Sequence, residues 1–231
     1  MVSKGGFIFT ILLFLGLCTA NASGQPDPVY ERFALADGSL PQKWYAGSGK
    51  WQVSDGKLLV DSTSGDAFIF FGSNLWQNYI LQVDVTFKKI KNQSRWCSLL
   101  FRADSSGKKP FSQFPLRFKS TLNNGAEFAV RREDGWDVRR IARTTANTII
   151  GKTRKLKVIV RGLQVTGFVD GQLVIRSSFC IDRDTGCVGL GASGCIVAFD
   201  NFKLTPLEDT SMGSYARRNK PCDIISHRGF S

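Results

Sequence analysis

The chain has 231 residues, and its 31 Lys and Arg against 19 Asp and Glu give a formal charge of +12. With 42% hydrophobic and 12% aromatic residues, it can bury a large core without metal help. One histidine is too few for a Cys/His metal set, and the paired basic residues are scattered along the chain instead of forming one block.

Lys4 precedes an apolar stretch, Phe7 to Leu17, and the small-x-small triplet Ala20-Asn21-Ala22. This is the pattern of a secretory signal over residues 1–22. The stretch is shorter than the ~20 residues that cross a bilayer, and no second hydrophobic segment follows, so the expectation is an exported chain with no transmembrane segment. In that setting a basic surface meets acidic polysaccharide, lipid head groups or envelope material, and not nucleic acid. A solvated basic surface without a dedicated ligand is the plain alternative.

From residue 30 to residue 207 strand patterns follow one another, and none holds helical spacing for long enough to form a helix. Every second residue is apolar in Leu81-Val83-Val85-Phe87, Leu99-Phe101, Leu116-Phe118, Phe128-Val130 and Leu156-Val158-Val160. Such alternation buries one face of a strand and wets the other. Val165 to Ile175 reads as a hairpin with Asp170-Gly171 at its turn. The fold class predicted is all-β, a two-sheet jelly-roll sandwich.

The segments Trp51 to Leu58, Asn78 to Val85, Phe168-Val169-Asp170-Gly171, Gly186 to Gly191 and Phe199-Asp200-Asn201-Phe202 carry a resemblance that covers nearly the whole sandwich. In order and spacing they resemble concanavalin-like jelly rolls, above all laminin-G-like domains and the 3-keto-disaccharide hydrolase-type domain. That architecture hosts binding modules, glycosidases and spacers alike, so the resemblance implies a fold more than an activity.

Five cysteines follow the signal, at Cys97, Cys180, Cys187, Cys195 and Cys222; Cys18 lies within it. In an exported protein a local bridge is expected within the group Cys180, Cys187 and Cys195, the last two flanking a predicted hairpin turn at residues 191–194, with the pairing left open. If the alternating apolar residues face the core, Arg102, Arg117 and Arg131 fall on the opposite face of their strands, with Trp96 and Trp136 close in sequence. These five are the candidate ligand-binding residues. Indole faces stack on sugars and guanidinium groups bind carboxylate, sulfate or phosphate, which together suit an anionic glycan or envelope surface. The alternative is that both tryptophans are core or rim residues and the arginines pair with Glu127, Asp84 and other acids. The acids are not arranged as the two facing carboxylates that a glycosidase requires.

Residues 208–222 are polar and aperiodic, the composition of a linker. They lead to the apolar Ile224-Ile225 and then His227-Arg228-Gly229, within residues 223–231. This wording resembles the opening strand of the glycerophosphodiester phosphodiesterase family, a barrel that needs about 250 residues. The resemblance implies that His227 acts in acid/base catalysis and Arg228 holds phosphate, but only in a chain that continues past Ser231. It also confines any divalent metal to that barrel, so no cofactor is expected in this chain. The leading expectation is therefore a secreted binding or accessory module ahead of such a barrel. A carbohydrate-active hydrolase of the 3-keto-disaccharide type and a ligand-free structural protein are the alternatives.

Overall fold

The computed structural model describes residues 26–119, 126–142, 148–178 and 181–207. The signal segment, Cys18, Cys180, Cys222, the linker, and His227 with Arg228 lie outside the described residues. Fifteen strands and no helix make up the described residues: β1 (Val29–Glu31), β2 (Trp44–Ser48), β3 (Lys50–Ser54), β4 (Lys57–Asp61), β5 (Asp66–Phe71), β6 (Tyr79–Ile90), β7 (Trp96–Ala103), β8 (Phe111–Arg117), β9 (Ala126–Arg132), β10 (Gly135–Ala142), β11 (Thr153–Arg161), β12 (Gln164–Val169), β13 (Gln172–Ser177), β14 (Cys187–Ser193) and β15 (Cys195–Pro206). They form two antiparallel sheets. One has eight strands in the order β13-β12-β11-β6-β15-β4-β3, with β1 also on β15; the other has seven in the order β10-β9-β8-β7-β14-β5-β2. The protein is the all-β sandwich that the alternation predicts.

The eight-stranded sheet follows the sequence pattern closely. Val53, Leu58, Leu81, Val83, Val85, Phe87, Leu156, Val158 and Val160 are fully buried between the sheets, and the residues between them along the strands face outward. Each such aliphatic or aromatic side chain contributes about 1.5–3 kcal/mol by leaving water. The Asp170-Gly171 turn joins β12 to β13, with φ of 50° and 81°, the left-handed pair that a two-residue hairpin requires.

The seven-stranded sheet departs from simple alternation. All eight residues of β7 and all seven of β14 are buried, so both faces of the sheet's centre are shielded. On the inner side Leu99, Phe101, Phe114, Leu116 and Phe128 join the main core. On the outer side Phe70, Leu100, Ala103, Phe111 and Cys187 form a second cluster, with Tyr45, Phe68 and Trp136 packed against it.

Two cysteine expectations are corrected. The turn expected at residues 191–194 is a corner at which the chain changes sheet: β14 ends at Ser193 in the seven-stranded sheet, and β15 starts at Cys195 in the eight-stranded one. Gly194 makes the corner with φ 65°. Cys187 and Cys195 consequently lie in different clusters, and Cys97, Cys187 and Cys195 are all free, buried thiols. Burial pushes the Cys187 thiol up to about 12 and that of Cys195 to about 11, and raises Cys97 as well. All three are protonated, unreactive thiols at neutral pH.

Candidate functional site

The outer face of the seven-stranded sheet is assembled in cross-strand rows. One row runs Tyr45, Phe70, Gly189, Leu100, Gln113, Ala129 and Val138 across all seven strands. Beside it, Phe68, Gly191, Ser98 and Pro115 share a second row, and Phe111, Arg131 and Trp136 share a third. Gly189 and Gly191 leave the middle of β14 without side chains on this face, and the space over Gly191 is bordered by the Phe68 ring on one side and by Ser98 and Leu100 on the other.

Ring distances fix the shape of this face. The centroids of Phe68 and Trp136 are 6.1 Å apart and those of Phe68 and Phe111 5.2 Å apart. Yet β5 and β10 are separated by five strand spacings, about 24 Å measured along the sheet. The sheet therefore curls so that its outer face is concave. Trp136 stands edge-on to Trp96 at 5.7 Å and to Phe111 at 6.1 Å, while Phe68 stacks on Trp96 at 6.5 Å. Trp96 is only 7% exposed; Trp136, Phe68 and Tyr45 each keep part of the ring in solvent. The hairpin carrying Trp136 is pinned by ion pairs: Arg139 with Asp137 at 2.7 Å, Arg132 with Asp137 at 3.2 Å, and both arginines with Asp182. These are partly exposed, so each contributes no more than about 1 kcal/mol, but together they hold β10 over the concave face.

Polar atoms among the rings have unmet hydrogen-bonding capacity. Ser98 Oγ, Gln113 Oε1 and Arg131 Nε are buried and have no hydrogen-bond partner among the described residues. Ser98 and Gln113 are 0% and 2% exposed. A buried polar atom in that state costs about 1–3 kcal/mol, whereas each edge-on or stacked ring pair returns about 0.5–1.5 kcal/mol. The ring pairs of the aromatic cluster thus offset the cost of leaving these polar atoms unpartnered. Arg131 lies over the Trp136 ring at 5.3 Å, a cation–π contact that fixes both side chains.

The five predicted site residues divide. Trp96, Trp136 and Arg131 come together on the concave face. Arg117 lies on the same sheet but is already engaged: it donates to both Glu127 carboxylate oxygens at 3.1 and 3.2 Å and to Ser94 O at 2.8 Å. Burial raises the Glu127 carboxyl and Arg117 opposes that rise. This pairing is the one that the plain alternative anticipated. Arg102 is a correction. A bulge opposite Val188 sets Phe101 and Arg102 against a single residue, and Arg102 takes φ 54°. Its side chain leaves the expected face and turns inward, 1% exposed, donating to Trp76 O at 3.4 Å and Gly162 O at 3.1 Å. Burial lowers its pKa. Arg102 is a tie between the sheets and is not on the surface.

Tyr45, Phe68, Phe111, Ser98 and Gln113 were not anticipated. The signal for the rings was Ala67-Phe68-Ile69-Phe70-Phe71, an unbroken apolar run that marks a strand buried on both faces. Among the described residues no group of three or more His, Cys, Asp or Glu is placed to hold a metal ion, and no helix is long and apolar enough to cross a membrane.

A curled β-sandwich with an aromatic-floored concave face is the architecture of a lectin-like, carbohydrate-binding module. Residues 61–207 match the model of the family described as the galactocerebrosidase C-terminal lectin domain, and the chain belongs to that family. No curated protein is similar enough in sequence to match. Among solved structures, the carbohydrate-binding module CBM66 from Bacillus subtilis is similar with a TM-score of 0.61 and 22% identity, over 71% of this chain and 95% of that one. The carbohydrate recognition domain of Emp47p is similar with a TM-score of 0.55 and 10% identity, over 77% of this chain and 94% of that one. A Bacteroides ovatus protein titled xyloglucan PUL GH43B is similar with a TM-score of 0.56 and 18% identity, over 79% of this chain and 40% of that one. At these identities the three share the fold.

Proposed function

We propose that the protein binds a neutral glycan, ending in a galactoside, in the concave face of the seven-stranded sheet. The galactoside is suggested by the family's name. The observation that carries the reading is the set of unpartnered buried polar atoms, Ser98 Oγ, Gln113 Oε1 and Arg131 Nε, on the face where Trp96, Trp136, Phe68 and Phe111 meet. The apolar face of a pyranose packs on the exposed side of Trp136 while Trp96 backs that ring, and sugar hydroxyls become the missing partners once the surrounding rings part to admit them. Charge does not favour an acidic sugar here, because Arg117 is neutralised by Glu127 and Arg102 is inside, leaving Arg131 as the one candidate guanidinium still facing the site.

Gln113→Leu separates the glycan reading from a purely structural one. It removes an unsatisfied acceptor from an apolar setting, so the melting temperature is expected to hold or rise. Affinity for galactose-terminated oligosaccharides, followed by tryptophan fluorescence, is expected to fall roughly tenfold, the worth of one hydrogen bond to a ligand hydroxyl. A wild-type protein whose fluorescence does not change across such oligosaccharides would remove the reading, as would a leucine variant that binds equally well.

Export, expected from residues 1–22, suits a module that meets glycans outside the cell. A role ahead of a phosphodiesterase-type barrel rests only on the wording of His227-Arg228-Gly229, and the matched region ends before it, at residue 207.

A further inference from the structure

The opposite face of the sandwich carries a different arrangement. One cross-strand row of the eight-stranded sheet reads Phe168, Lys157, Gln82, Lys203 and Tyr30 on β12, β11, β6, β15 and β1. Four strand spacings separate its ends, about 19 Å. An aromatic ring at each end holds a cation: Lys157 Nζ lies 4.1 Å from the Phe168 centroid, and the Arg32 guanidinium 4.9 Å from that of Tyr30. Rings position a cation without neutralising it. Lys157, Lys203 and Arg32 have no carboxylate within ion-pair distance among the described residues.

The neighbouring row is neutral within itself. Asp84 pairs with Lys155 at 3.3 Å and accepts from Asn201 Nδ2 at 3.0 Å, and Asp200 pairs with Lys57 at 3.1 Å. Its carboxylates are thereby occupied and do not cancel the cations of the first row. Between the rows lies a hollow of about 450 Å³, lined by Tyr30, Gln82, Asp84, Lys155, Asn201 and Lys203.

We propose that this row is a second carbohydrate site, for a linear polyanionic glycan laid across the strands with its sulfate or carboxylate groups on Arg32, Lys203 and Lys157. Cations set along a line fit a chain of spaced anions, whereas a bilayer surface is met by an apolar face rimmed with cations. The site stands apart from the concave face in position and chemistry. The protein therefore has two glycan-facing surfaces, one aromatic and one cationic.

The test is binding of the full chain to a heparin-derived sulfated octasaccharide at physiological salt. K157A/K203A is expected to weaken binding roughly thirty-fold, because each cation near a polyanion contributes about a factor of five. K108A/K119A, which removes equal charge from exposed positions elsewhere, is expected to weaken it less than about threefold through long-range charge alone. W136A is expected to leave it unchanged. K203E, with a single change at an exposed position, gives the same reading if the double variant is poorly folded. Equal losses in the two double variants would overturn the proposal in favour of net charge. So would octasaccharide binding that K157A/K203A leaves intact while abolishing binding to phosphatidylserine vesicles.

Discussion

Replacing Trp136 with alanine is expected to weaken glycan binding by about thirty-fold or more while lowering the melting temperature by only a few degrees. The asymmetry follows from where the ring sits. Trp136 is on an edge strand, packs against Phe68, Trp96 and Phe111, and keeps part of its surface in solvent. Aromatic anchors in the middle of a binding face contribute about 2 kcal/mol or more each. As a half-buried side chain outside the main core, it costs less to truncate than the 3–5 kcal/mol of a fully buried tryptophan. Trp136→Phe keeps a stacking surface and is expected to retain a measurable part of the affinity. Titration with a galactose-terminated oligosaccharide, paired with thermal unfolding, checks both halves. Unchanged affinity in the alanine variant would move the site away from this ring.

The second large effect is on stability and concerns Arg102. Its guanidinium satisfies Trp76 O before β6 and Gly162 O in the β11–β12 turn, while its own backbone N–H donates to the Tyr79 hydroxyl at 3.3 Å. Arg102→Met fills much of the volume but leaves Gly162 O without its donor, while Trp76 O keeps the Gly186 N–H at 3.0 Å. The orphaned carbonyl costs about 1–3 kcal/mol and the weakened Trp76 O bond adds to it, against a gain from no longer burying a charge. The net expectation is a loss of about 1–3 kcal/mol, or roughly 2–12 °C in melting temperature for a domain of this size. Arg102→Lys can reach only one carbonyl and is expected to fall between. Glycan affinity is expected to survive in whichever of these variants folds, because Arg102 faces away from the concave surface. A methionine variant as stable as the parent would mean that the buried charge cancels the worth of its hydrogen bonds.

How far the sequence could be read differs between the two sheets, for one physical reason. In the eight-stranded sheet one face is wet, so Leu81-Val83-Val85-Phe87 and Leu156-Val158-Val160 show their inward side directly. In the seven-stranded sheet curling shields the outer face as well, and Phe68, Phe70, Leu100 and Phe111 occupy positions where alternation leads one to expect polar residues. Arg131 was legible as a candidate because alternation in β9 places it outward, and Trp96 and Trp136 by their closeness in sequence to the arginine set. Arg102 was not, since one extra residue in a bulge reverses the phase and leaves no mark in composition. Gln113 was equally hidden: only the contacts made by the curled sheet turn an ordinary polar strand residue into a buried acceptor without a partner. The hairpin turn expected at residues 191–194 failed similarly, because the stretch that reads as a hairpin contains a change of sheet.

The measurement that bears most directly on the glycan site uses the five tryptophans as reporters. Trp44 and Trp51 are buried in the main core and Trp76 packs against its edge, while Trp96 and Trp136 face the concave side. With the indole nitrogens labelled, a two-dimensional NMR spectrum resolves one N–H signal for each, and a galactose-terminated oligosaccharide is titrated in. The signals of Trp96 and Trp136 are expected to move together and saturate, with those of Trp44, Trp51 and Trp76 staying in place. Saturable binding that leaves Trp96 and Trp136 unmoved would contradict a glycan site on the concave face.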